Sequence, residues 1–90
     1  MKTIYKYKIP SVGGKVTLPA NANVLSLGVQ QSTLIIWAEV DPKECKRNRM
    51  FEVFKTGEDI PEDMGVDRKF IGTVNANCFY NVLHVFERIL

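Results

Sequence analysis

One histidine, two cysteines and one tryptophan are the scarce residues of this 90-residue chain, and each scarcity closes off some chemistry. Cys45, Cys78 and His84 are the only thiols and imidazole, and no two of them stand at the short spacings that zinc sites use, so no metal is expected. Two cysteines are also too few for a disulfide framework. No apolar run reaches the ~18 residues of a membrane span. The start "MKTIYKYKIP" has no apolar core and no small-residue cleavage site, so it is not read as a secretory signal. These absences predict a reduced, intracellular protein that does not insert in a membrane.

Catalytic signatures are missing as well. There is no nucleophile elbow, no Walker loop and no dinucleotide fingerprint, so no catalytic residue, cofactor or enzymatic activity is expected. "SVGGK" has two glycines and a lysine, but lacks the spacing and the following helix of a phosphate cradle and reads as a β-turn. The acids of 58–67 do not fall at calcium-loop positions, and they flank Pro61 instead.

What is present is an ordinary globular composition, 46% hydrophobic and 24% charged. Ninety residues make one domain spanning 1–90, able to bury roughly 60–68% of its unfolded surface. The net charge of +2 is unevenly laid out. Residues 1–38 carry Lys2, Lys6, Lys8 and Lys15 and no acid, whereas 58–67, "EDIPEDMGVD", carry five acids and no base. A basic loop follows Asp41-Pro42, with Lys43, Lys46, Arg47 and Arg49 against Glu44. Basic segments that converge in space attract an anionic partner. The modest excess favours a small anion over sequence-specific nucleic acid, because the acidic decamer would repel a duplex.

Runs of β-branched and aromatic residues alternate with turn residues along the whole chain. They predict strands at Thr3–Ile9, Lys15–Leu18, Val24–Gln30, Thr33–Val40, Met50–Lys55, Phe70–Asn75 and Tyr80–Glu87. Seven such strands predict an all-β fold, a single small antiparallel sandwich or partly open barrel. Pro61 and Gly65 allow at most one short helical turn at 59–65. "NCFYNVLHVFERIL" has a rival helical reading, but its β-branched and aromatic content favours a strand. Alternation places Leu34, Ile36, Ala38 and Val40 on one face, with Thr33, Ile35, Trp37 and Glu39 on the other.

Four features stand out as candidates. Trp37 is either a core or interface residue or a platform for a purine ring. Arg47 and Arg49, about ten positions on across an expected hairpin, suit phosphate contacts. His84 shares a face with Tyr80, Val82 and Phe86, as a packed hydrogen-bonded imidazole or as a donor at a pocket edge. Cys45 lies among cations that favour a thiolate, yet no base is positioned beside it, which makes it an incidental loop residue.

The segments "KTIYKYKIP", "VTLPANANVLSLGVQ", "LIIWAEVDP", "FEVFKTGEDIP", "FIGTV" and "LHVFE" together resemble a small family of bacteriophage-encoded proteins of unassigned function. The resemblance covers nearly the whole chain and departs from the family pattern at Lys55-Thr56-Gly57, where a glycine is expected before the threonine. It implies a viral protein acting in the host cell cytoplasm, as a counter-defence module that sequesters a host nucleotide-derived immune signal without catalysis. Trp37 would then stack on the base, Arg47 and Arg49 would meet phosphates, and Thr56 and His84 would hydrogen-bond the sugar or base. A domain this small gains pocket depth at a subunit interface, so a homodimer or higher homo-oligomer is expected. The alternatives are a protein–protein inhibitor of a host defence enzyme and a small structural virion accessory protein.

Overall fold

Alternating apolar residues punctuated by turn formers produce seven strands in the computed structural model, which describes residues 1–62, 64–75 and 82–89. The strands are β1 (Thr3–Ile9), β2 (Gly14–Pro19), β3 (Asn23–Gln30), β4 (Thr33–Val40), β5 (Lys46–Lys55), β6 (Arg68–Asn75) and β7 (Val82–Arg88). All pairings are antiparallel. One sheet has the order β1-β4-β3 and the other the order β2-β5-β7-β6, and neither closes into a barrel. The two layers form a slab 41 × 35 × 16 Å across its Cα atoms.

The inward faces follow from the period of two. Ile9, Leu34, Ile36, Ala38 and Val40 of the three-stranded sheet meet Val16, Leu18, Phe51, Leu83 and Val85 of the four-stranded sheet in one core. Gly72 permits close approach of the layers, because a Cβ there would stand 3.2 Å from a methyl of Leu27. β4 is the central strand of its sheet, and this explains its nearly continuous apolar sequence.

Two expectations are corrected. Lys46–Arg49 are not loop: they extend β5 and pair with Val16–Pro19 of β2. Thr17 and Asn48 face each other there, with Oγ1 donating to Oδ1 at 2.8 Å, so the polar side chains cross-link the strands instead of breaking them. The expected hairpin from Trp37 to Arg47 is also absent, because β4 and β5 belong to different sheets and 41–45 is a crossover. Asp41 closes that crossover by accepting the Lys43 amide on its carboxylate and the Glu44 amide on its carbonyl.

The C-terminal segment is a strand over Val82–Arg88, and the described residues include no helix. The expected turn at Ala76-Asn77, together with Cys78, Tyr80 and Asp63, lies outside the described residues. Among the described residues, no helix is long and apolar enough to cross a membrane.

Candidate functional site

The outer face of the three-stranded sheet carries two of the lysines of the acid-free N-terminal segment. Lys6 and Lys8, two apart on edge strand β1, share that face and stand opposite Trp37 and Ile35 of β4. On the far side of β4, Ser26 and Gly28 of β3 flank the same two residues. Lys6 Nζ reaches diagonally to Gln30 and donates to its Oε1 at 2.8 Å. Ile35 is only 3% exposed although it faces away from the core, because these side chains cover it. The Trp37 indole lies against Gly28, where a Cβ would stand 2.8 Å from Cζ3. Only glycine leaves room for the ring in that position.

Two adjoining cavities open at the end of this face. The first, about 550 Å³, is lined by Lys6, Lys8, Gln30, Gln31, Thr33 and Ile35. The second, about 420 Å³, includes Lys8, Pro10, Ser11, Lys15, Ser32 and Thr33 in its lining, with Ile9 and Leu34 of the core as its apolar wall. Lys8 and Thr33 belong to both, and neither lining contains a carboxylate. The acid on this face is Glu39, at the other end of β4, where Lys2 lies 4.0 Å from it. Three lysines thereby line two neighbouring cavities, Lys8 common to both, together with amide and hydroxyl groups, which suits an anion.

The four-stranded sheet uses its charges differently. Arg49 donates from Nε and Nη2 to the two carboxylate oxygens of Glu87, at 2.6 and 2.7 Å, and from Nη1 to the Ala22 carbonyl at 2.7 Å. Hydrogen bonding to Glu87 holds the guanidinium above its ordinary pKa, against the opposing effect of burial, with the carboxylate's charge adding to the rise. Glu87 is itself buried, so this fork neutralises a charge between the layers. Arg68 makes a similar contact with Glu52, from Nε to Oε1 at 2.6 Å, on the outer face.

That outer face also carries a polar relay. His84 Nε2 lies 2.7 Å from Thr56 Oγ1, and Nδ1 lies 2.9 Å from Thr73 Oγ1. A neutral imidazole donates from one nitrogen and accepts at the other, and each threonine hydroxyl serves as either partner. Beside it runs an aromatic row across three strands: Phe54 meets Phe86 edge-on at 5.9 Å, and Phe86 meets Phe70 at 5.3 Å. A cavity of about 300 Å³ lies against Phe54, Thr56, Ile60, His84 and Phe86.

The five residues singled out in the sequence therefore do not gather at one place. Thr56 and His84 are brought together. Trp37 is on the outer face of the other sheet, and Arg49 is engaged between the layers. Arg47 is exposed near the start of β5, opposite Leu18. Sequence reasoning missed Lys6, Lys8, Gln31 and Thr33 as site residues. The Lys6-x-Lys8 spacing on a strand was the available signal, since it puts both ammonium groups on one face. Cys45 is exposed and unpaired by a disulfide, and among the described residues no group of three His, Cys, Asp or Glu side chains could hold a metal ion.

Fold and groove together define an open, two-sheet antiparallel β-domain with a lysine-lined outer face. The chain belongs to the family described as domain of unknown function DUF7352, whose pattern matches residues 1–90. No curated protein and no solved structure matches it.

Proposed function

We propose that the chain is a non-catalytic binding module that captures a small phosphate-bearing, nucleotide-type anion at the end of its three-stranded sheet, where Lys15 of β2 also reaches. The observation that carries this reading is the convergence of Lys6, Lys8 and Lys15 on two adjoining cavities with no carboxylate in their walls. Ammonium groups offset phosphate charge, while Gln30 and Thr33 offer neutral polar contacts in the same cavity. Trp37, on the same face, supplies a ring on which a base could stack, a contact of ~1–3 kcal/mol. The phosphate role passes from Arg49 to the lysines because each of that guanidinium's nitrogens is already donating to Glu87 or Ala22. Thr56 and His84, on the other sheet, lie outside this site.

The likeness to small phage proteins supplies the biological setting: a counter-defence module that withholds a host nucleotide signal in the host cytoplasm. Self-association would deepen the open groove by adding a second wall. The test is to incubate purified protein with extract from cells whose nucleotide-signalling defences are active, wash it, denature it by heat and analyse the supernatant by mass spectrometry. An intact nucleotide released in stoichiometric amount is the expected result. An altered nucleotide would indicate an enzyme, and an empty supernatant would contradict capture.

A second reading, inhibition of a host defence protein, is favoured by Phe70. It stands 56% exposed at the end of the aromatic row on edge strand β6, where a partner chain could cover it. A host protein that co-purifies with the chain, and is lost on Phe70→Ser, would favour this reading.

A further inference from the structure

The connection between β3 and β4 is two residues long, Gln31-Ser32, and both are in the left-handed region, with φ of 50° and 62°. A two-residue hairpin with positive φ at both central positions has the geometry for which Asn-Gly or Asp-Gly is strongly preferred. Gln and Ser carry a Cβ into that region and are strained there. The chain thus holds a costly pair where an easy one exists. Strain of this kind concentrates at ligand clamps and functional sites.

The same two residues divide between the two cavities. Gln31 lines the one that holds Lys6, and Ser32 lines the one that holds Lys15. Lys8 and Thr33 form the ridge shared by both. Each side of the ridge therefore offers its own lysine and its own polar hairpin residue.

Building on the capture reading above, we propose that the groove takes a ligand with two phosphate groups, one on each side of the Lys8–Thr33 ridge, and that Gln31 and Ser32 are the hairpin residues that contact it and set its specificity. The two phosphates could be adjacent, as in a nucleoside diphosphate, or separated, as in a cyclic dinucleotide. Both offer two anionic phosphate groups, at different spacings, to the lysines.

Calorimetric titration with AMP, ADP and cyclic di-AMP tests this, using wild-type protein and the double variant Gln31→Asn/Ser32→Gly. Wild type is expected to bind ADP or cyclic di-AMP at least roughly tenfold more tightly than AMP, and the tighter of the two identifies the phosphate spacing. The variant relieves the turn, so its melting temperature rises while its affinity for that ligand falls by roughly tenfold. A raised melting temperature with undiminished affinity overturns the role of the hairpin. Wild-type binding of AMP as tight as that of the other two overturns the two-phosphate inference and leaves capture standing. Wild-type protein that binds none of the three overturns both.

Discussion

Arg49 and Glu87 close on each other on the inner side of the four-stranded sheet, through two hydrogen bonds of 2.6 and 2.7 Å. The pair converts a basic residue from a segment that reads as solvated loop into a clamp between β5, β7 and the chain at Ala22. Glu87→Gln leaves the guanidinium with an uncharged partner in a half-buried place. We expect a loss of about 2–3 kcal/mol in urea unfolding, below the ~3–5 of a fully buried pair. Ligand capture should persist in the folded fraction. An unchanged unfolding midpoint would contradict the clamp.

Gly28 makes room for Trp37. A Cβ there would meet Cζ3 at 2.8 Å and Cη2 at 3.1 Å, so Gly28→Ala must tilt the indole. The expected cost is about 1–3 kcal/mol, accompanied by a shift of tryptophan emission. The double change Gly28→Ala/Trp37→Phe should recover part of that stability. Emission and stability both unaltered in Gly28→Ala would mean that the indole does not rest there.

Thr73 and Thr56 hold His84 from both sides. Thr73→Val keeps the shape and removes one hydrogen-bond partner, for an expected cost of about 1 kcal/mol. Thr73 lines neither of the lysine-bearing cavities, so affinity there should not change. A variant that loses ligand retention while remaining folded would move the binding site to the four-stranded sheet.

Tyr7 has a raised phenol pKa, chiefly because burial disfavours the phenolate, with Tyr5 adding to it. The folded state therefore binds more protons than the unfolded state in alkaline solution. This contribution is fully present below the ordinary tyrosine value of about 10 and is lost as pH rises through the folded value. Tyr7→Phe should flatten the decline in stability between about pH 9 and about pH 11. An identical decline in the variant would contradict the assignment.

Much of the fold was legible because burial on a strand leaves a period of two. β1 and β4 match their expected limits, and the other strands differ chiefly at their ends. The start of β5 was hidden because Lys46, Arg47 and Arg49 are as polar as a turn. Their strand geometry comes from a partner, β2, about thirty residues earlier in the chain. Long-range pairing of that kind leaves no local trace. The same gap concealed the topology: Asp41-Pro42 resembles a hairpin turn, yet it carries the chain from one sheet to the other. The candidate site was half legible. The acid-free segment announced the charge, but the meeting of Lys6, Lys8 and Lys15 around Thr33 depends on how β1 and β4 pair and where β2 begins.

The most direct test of the lysine groove is backbone amide NMR during titration with ADP. Binding at the groove predicts the largest shifts at Lys6, Lys8, Gln31, Ser32 and Thr33, with Lys8→Glu abolishing them in a protein that still melts cooperatively. Shifts confined to Thr56, Thr73 and His84, or no shifts even in large excess of nucleotide, would contradict it.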